Sequence, residues 1–283
     1  MPAVSIIIPN YNHEAFLARR IHSVLGQSYT DFELIILDDC SSDKSISVIE
    51  PFRTHPKVSH VLYNEKNSGS GFKQWEKGIN LAKGKFIWIA ESDDYSEPDF
   101  LETMMELLAP EKNCKIAFAG TIKIDVSGNP TKPYDFKFGN GIDSEHDWVS
   151  NGKDFCCDIL CKYNVLMNAS SVVFEKELYT TAGGINTSYR ICSDWLLWWE
   201  MISRSNIGFC SRRLNYYCIH ESNTSSNWLT ELVITYRYIL TNWPFVTGKE
   251  EYKKYMLNYS KFLHRQKDHK TAYAISKLLR EHE

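Results

Sequence analysis

The sequence predicts an α/β protein: a mostly parallel, Rossmann-like sheet flanked by helices, followed by a C-terminal helical appendage. Short β-branched apolar runs alternate with helical periodicities from Val4 to Leu108. Three of the first four runs end in polar or acidic residues. Residues 227–283 carry an apolar, aromatic segment and a basic tail, and read as helices.

The elements follow in order. Val4-Ser-Ile-Ile-Ile8 is a buried strand closed by Pro9-Asn10. Phe16, Leu17, Ile21, Val24 and Leu25 recur at helical spacing, and Gly26 stops that helix. Phe32–Leu37 is a second buried strand ending at Asp38-Asp39. Ser41, Ser42 and Asp43 are N-cap candidates for the next helix. Val58–Tyr63 is a third strand, Phe72–Ala82 a helix stopped by Gly84, and Phe86–Ala90 a fourth strand. The fourth strand runs into Glu91-Ser92-Asp93-Asp94, and Pro98 opens a helix through Leu108. Such alternation implies right-handed crossovers, with ligands outside the carboxyl ends of the strands.

The second half is less regular. Ile116–Thr121 reads as a strand, and residues 125–152, rich in Gly, Pro, Asp and Asn, as a loop over the site. Asp154–Tyr163 reads as a helix and Ser171–Phe174 as a strand, and Gly183-Gly184 breaks the chain. Ser193-Asp194 opens an apolar helix, Trp195–Ile202, where either residue could cap. Leu214–Ile219 is a strand leading to His220.

Composition excludes several function classes. The chain has 283 residues, 43% hydrophobic and 24% charged, so it can bury a large core without staples. Its net charge of −3 argues against a nucleic-acid partner bound by charge. No apolar run approaches the ~18 residues of a membrane span, and the first strand begins almost at Met1, so a cytoplasmic protein is expected. The eight cysteines are scattered and read as reduced thiols; Cys156, Cys157 and Cys161 read as buried small side chains rather than a metal site. From Lys249 onward nine Lys/Arg face five Asp/Glu. That tail could touch an anionic membrane surface peripherally, but packing back on the main body is slightly favoured.

No G-x-G-x-x-G and no Walker loop follow the first strand, which excludes a dinucleotide Rossmann site and a P-loop. Asp38-Asp39 taken alone reads as a turn former. Two acidic pairs on one sheet edge fit a divalent cation held by oxygen ligands and phosphates.

The run Val4-Ser-Ile-Ile-Ile-Pro-Asn-Tyr-Asn12, then Gln27-Ser28 and Asp31 to Asp43, resembles the start of a family 2 glycosyltransferase with the GT-A fold. Asn67-Ser-Gly69, Gly78-Ile79, Ala82-Lys-Gly84 and Glu91-Ser-Asp-Asp94 extend the resemblance to about residue 110. A weaker continuation runs through Gly183-Gly184, Ser193-Asp194-Trp195 and Tyr217 to His220. The resemblance implies a catalytic domain over 1–226, with a nucleotide-sugar half (1–110) and an acceptor half (111–226), and a helical extension over 227–283.

It also implies roles. Pro9 and Tyr11 in the first-strand loop would lie at the nucleotide, with Tyr11 against the base and Asp39 accepting its N3–H. Asp94 would bind Mg²⁺ or Mn²⁺ on the donor diphosphate, and Asp93 would touch the ribose or the metal. Glu91 is a third acidic candidate and His220 a further metal ligand. Many members carry a phosphate-contacting Arg before the Gly78-Ile79 pair; this chain has Lys73-Gln-Trp-Glu-Lys77, where Lys73 is the substitute or a solvated side chain. Asp194 would be the general base, with a pKa lowered by its helix terminus, and Glu221 the reserve. The expected reaction is metal-dependent, inverting sugar transfer from a nucleotide donor, a UDP-sugar by preference, to a glycan or lipid-linked glycan in surface polysaccharide biosynthesis. The competing readings are a sugar-nucleotide nucleotidyltransferase and a non-catalytic nucleotide-sugar-binding module.

Overall fold

The computed structural model describes residues 1–131, 144–162, 164–166, 168–220, 228–243, 250–265 and 268–281. Nine strands form one sheet: β1 (Val4–Asn10), β2 (Phe32–Asp38), β3 (Val58–Tyr63), β4 (Phe86–Ile89), β5 (Tyr95–Ser96), β6 (Cys114–Ile124), β7 (Trp148–Ser150), β8 (Val172–Glu175) and β9 (Asn206–Cys218). Their order is β3-β2-β1-β4-β8-β6-β9-β5, with β7 on β9. β1 to β4 pair in parallel, β8 runs antiparallel between β4 and β6, and β6 pairs parallel with β9.

Every residue of β1 and β2 is buried, because helices cover both faces. The two-residue period of a strand sorts their side chains. Ile7, Ile35, Leu37, Ile87 and Ile89 face α3 (Gly71–Leu81) and its neighbours. Ile6, Ile8, Leu34, Ile36 and Trp88 face α1 (Glu14–Leu25) and α4 (Phe100–Leu107). β2 and β3 extend to one side of β1 and β4 to the other. The carboxyl end of β1 is therefore a topological switch point, where open parallel sheets leave a crevice.

Several sequence expectations shift. α2 (Ser45–Ile49) is a single short turn, whose first N–H bonds Asp43 Oδ1 at 2.9 Å. β5 and β7 were not anticipated; both are short and take their places from β9. β7 falls within the expected 125–152 loop, of which residues 132–143 lie outside the described residues. The expected Asp154–Tyr163 helix is α5 (Gly152–Phe155) continued by a wider π-type turn over Cys156–Leu160; Tyr163 lies outside the described residues. α6 (Lys176–Thr181) ends at Gly183 and Gly184, with φ of 92° and 72° that favour glycine. The cap of α7 (Ser193–Ile202) is Cys192 at φ 61°, which places Ser193 and Asp194 inside the helix rather than at its cap.

The C-terminal helices are α8 (Trp228–Asn242), α9 (Glu250–Arg265) and α10 (His269–Glu281). Tyr236, Ile239, Met256, Leu263, Ile275 and Leu279 join the same apolar cluster as α7. Glu200 on α7 accepts hydrogen bonds from the Tyr238 hydroxyl at 2.6 Å and Trp243 Nε1 at 3.3 Å. Tyr255 donates to the Lys162 carbonyl at 2.8 Å. These contacts favour packing back on the main body. Leu257 and Phe262 are exposed on α9, but five residues of helix turn them about 140° apart, so they do not share one face. No described helix is long and apolar enough to cross a membrane.

Gly84 lies against β1, where an added Cβ would come within 2.5 Å of the Ser5 nitrogen and 2.6 Å of the Val4 carbonyl carbon. Gly84→Ala is expected to lower unfolding free energy by about 1–3 kcal/mol in urea melts, since backbone rather than a pliant side chain must yield.

Candidate active site

The site forms where β1, β2 and β4 end. After β1 the chain passes through Tyr11 and Asn12 to His13. Tyr11 is 47% exposed. Asn12 adopts φ 56°, and its side-chain oxygen accepts the Ser42 N–H at 2.7 Å, tying the β1 loop to the β2 loop. Pro9 lies beyond the β1–β4 pairing, which ends at Ile7–Ile89, while still in register with Leu37 of β2.

The two acidic residues after β2 differ. Asp38 accepts from Asn10 Nδ2, the Ser41 N–H and the Ser41 hydroxyl, at 2.7, 2.8 and 2.7 Å, and holds the turn. Asp39 faces the Asn64–Ser70 loop. Its Oδ1 accepts from Asn64 Nδ2, the Ser68 N–H and Gln74 Nε2, and its Oδ2 from the Ser68 hydroxyl at 2.7 Å. Lys73 is exposed, and its Nζ donates to the Ser68 carbonyl of the same loop at 3.0 Å.

The Glu91–Asp94 turn carries three roles. Asp94 is 1% exposed; its oxygens accept Asn168 Nδ2 at 2.6 Å and the Cys218 N–H at 3.0 Å. Burial, then the neighbouring Asp93, push its pKa up. Asp93 instead faces His220, whose Nε2 lies 2.9 Å from Asp93 Oδ2. Phe16 stacks on the His220 ring at 5.1 Å. Glu91 Oε1 accepts Trp75 Nε1 at 2.7 Å, and burial with two adjacent carboxylates pushes its pKa up to about 8. Beneath the turn lies the fully buried Arg20, its guanidinium 5.0 Å from the Trp88 ring and its pKa lowered by burial to about 10.

Among the described residues, one group of side chains could share a cation: His13, Asp93 and His220, whose ligand atoms lie within 4.8 Å of one another. Of the expected ligands, Asp93 and His220 are in that group and Asp94 is not. Asp94 is turned inward, where its oxygens accept from the Cys218 N–H and the Asn168 amide. His13 is a residue that sequence reasoning missed; its place in the β1 loop, on the edge already singled out, was the available signal.

Asp194 stands in the first turn of α7 and is partly exposed. Its helix reaches the acidic turn through Trp198, 6.2 Å from Trp75, which in turn bonds Glu91. The expected lowering of its pKa is overturned. Burial raises it, and the backbone N–H groups of Trp195 and of Asp194 itself offset that only in part. The reserve candidate Glu221 lies outside the described residues.

Residues 5–168 match the family model described as glycosyl transferase family 2. The chain belongs to that family. TuaG of Bacillus subtilis (strain 168), named for teichuronic acid biosynthesis, is 34% identical over 129 residues, covering 46% of this chain and 50% of TuaG. Chondroitin synthase of Escherichia coli is 32% identical over 130 residues, covering 46% of this chain and 18% of its own. The chain thus spans about half the length, or less, of these relatives. The crystal structure of Staphylococcus aureus TarS 1–349 with UDP superposes with a TM-score of 0.65 at 18% identity, covering 93% of this chain and 71% of that one. That likeness establishes the GT-A fold of this family 2 member.

Two tests follow from the geometry. Asp94→Ala leaves the buried Cys218 N–H and Asn168 amide without their acceptor, so it is expected to cost about 1–3 kcal/mol or more in denaturant melts, while Asp93→Ala melts near wild type. The folded state also holds a proton on Glu91 that the unfolded chain releases at ordinary carboxylate pH. Stability of the metal-free protein should therefore be highest below about pH 4.5 for this group, and fall as pH rises to about 8. Glu91→Gln keeps an acceptor for Trp75 and should flatten that slope in melting temperature against pH.

Proposed function

We propose that this family 2 member transfers a sugar from a uridine diphosphate donor to a hydroxyl of a glycan, with inversion at the anomeric carbon. The observation that carries the reading is one sheet edge holding three things together: an exposed aromatic (Tyr11), a hydrogen-bonded carboxylate (Asp39) and a cation group at Asp93 and His220. A GT-A relative in complex with UDP, and TarS again with UDP-GlcNAc at a TM-score of 0.63, support the donor class. A relative named for teichuronic acid biosynthesis supports a surface-glycan acceptor.

The roles follow from chemistry. Tyr11 offers a face for the base, and Pro9 shapes the loop that presents it. Asp39 Oδ2 carries one hydrogen bond, from Ser68, which leaves acceptor capacity for a ring N3–H such as uracil presents. The donor set of a carboxylate and imidazole fits Mg²⁺ or Mn²⁺, with Asp93 and His220 as ligands in place of the expected Asp94. When bound, the cation stabilises charge on the departing diphosphate. Asp94 fixes the end of β9 and thereby the place of His220. Asp194 takes the proton of the acceptor hydroxyl. Burial raises its pKa, which makes its ionised form a stronger base than an ordinary carboxylate.

Asp194→Asn is expected to lower kcat by ~10²–10⁴-fold while UDP binding and melting temperature stay near wild type. The acid limb of kcat against pH should lie above the ordinary carboxylate range, because protonation of Asp194 removes the base as pH falls through its raised pKa. Retained turnover in Asp194→Asn overturns the assignment. UDP with metal should raise the melting temperature more than GDP or CDP, and Asp39→Asn should erase that ranking; a larger shift with GDP refutes the base reading.

A further inference from the structure

The cation group contains one more nitrogen than the proposed reaction needs. We propose that His13 is a third protein ligand of the cation, and that the resulting pair of imidazoles makes the site select Mn²⁺ over Mg²⁺. The inference rests on the metal-assisted reading of the site and goes beyond it, because it names a ligand from the β1 loop and the metal that ligand favours.

His13 precedes α1, at the carboxyl edge of β1, and is partly buried. Its Nδ1 is 2.8 Å from the Ser92 hydroxyl. That contact fixes the ring plane, and with Ser92 on Nδ1 the proposed ligand atom is Nε2. A hydrogen bond on the far nitrogen is the usual way a metal-bound histidine is held. The His13 and His220 rings meet edge to face at 5.3 Å and 84°. His220 is itself oriented by Phe16, whose ring also meets His13 at 6.0 Å. Phe16 thus buttresses both imidazoles from the first turns of α1.

The distances suit coordination. Two ligand atoms at about 2.1 Å from one ion and about 90° apart are themselves about 3.0 Å apart. His220 Nε2 and Asp93 Oδ2 are separated by 2.9 Å, and a nitrogen of His13 lies within 4.8 Å of both partners' ligand atoms. The hydrogen-bond partner of His13 is the neutral Ser92 hydroxyl, while Asp93, the proposed fellow ligand, lies close enough to act on the ring electrostatically.

Metal choice follows from ligand type. Mg²⁺ takes oxygen ligands in near-ideal octahedra and gives up its water reluctantly. Imidazole suits the first-row transition metals. One imidazole beside a carboxylate and a diphosphate leaves Mg²⁺ competitive; two imidazoles shift the set toward nitrogen and disfavour it. His13 is therefore a specificity-determining residue for the metal, supplied by the strand loop that also carries Tyr11. The site couples the two ends of the donor: moving the β1 loop for the base moves a ligand of the cation.

The test uses metal alone. Free Mn²⁺ is titrated by electron paramagnetic resonance into the full chain without nucleotide, then displaced with Mg²⁺. Wild type should bind Mn²⁺ at least about tenfold more tightly than Mg²⁺, and His13→Ala should lose about 10–100-fold in Mn²⁺ affinity while Mg²⁺ affinity changes little. His13→Gln, which keeps a hydrogen-bonding partner for Ser92, should behave like His13→Ala; both variants should melt near wild type, which separates ligation from structure. Unchanged Mn²⁺ affinity in both variants, or equal wild-type affinity for the two metals, overturns the proposal. Donor turnover is read separately. If wild type hydrolyses UDP-sugar with metal while His13→Ala keeps its Mn²⁺ affinity, the ligand assignment fails and the transferase reading stands. If the variants lose Mn²⁺ but wild type turns over no nucleotide sugar, the ligand assignment stands and the transferase reading fails.

Discussion

Asp94 joins the two halves of this sheet. Its carboxylate is buried, and both oxygens are used: one receives the N–H that ends β9, the other the amide of Asn168. Asn168 is in turn held by Asn215 Nδ2 at 3.0 Å, and Asn215 also reaches Thr121. One side chain thereby links the β4 turn, the segment before β8, β9 and β6. His220 follows Cys218 by two residues, so the same anchor delivers the imidazole to Asp93. Burying a carboxylate without partners is costly, and the Cys218 N–H and the Asn168 amide offset that cost.

Packing Glu91, Asp93 and Asp94 into one turn creates a second demand, for positive charge. Arg20 answers from below, as a fully buried cation on the Trp88 ring that donates to Ser96 Oγ at 3.1 Å. The raised pKa of Glu91 shows that Arg20 alone leaves the turn over-acidic. The proposed cation at Asp93 would add positive charge from the other side. An acidic turn of this kind is suited to a hard or borderline cation, as proposed above.

Trp75 makes the connection to the acceptor side. It occupies the helix where a phosphate-contacting Arg was looked for, and it donates its indole N–H to Glu91 instead. Its ring lies near Trp198 of α7, the helix that carries Asp194. A further step along α7, Glu200 grips Tyr238 and Trp243, so the C-terminal helices brace the element that presents the proposed base.

The alternation of strands and helices, the position of the ligand edge and the acidic turn after β4 were legible in the residues. Each is a local property: β-branched runs, helical periodicity and the residues that end a strand are read within a few positions. The resemblance named the family from the same stretch, before any contact was known. Which acidic residue meets His220 was not legible. Asp93 and Asp94 are adjacent and identical in type; only the pairing of β5 with β9, and the arrival of His220 from 127 residues away, distinguishes them. His13 escaped for the same reason, since its neighbours Ser92 and His220 come from other elements. The pKa of Asp194 was misjudged because the helix terminus is visible in sequence and desolvation is not. Local patterns specify elements, whereas burial and register, which set the electrostatics of the site, exist only once distant elements have packed.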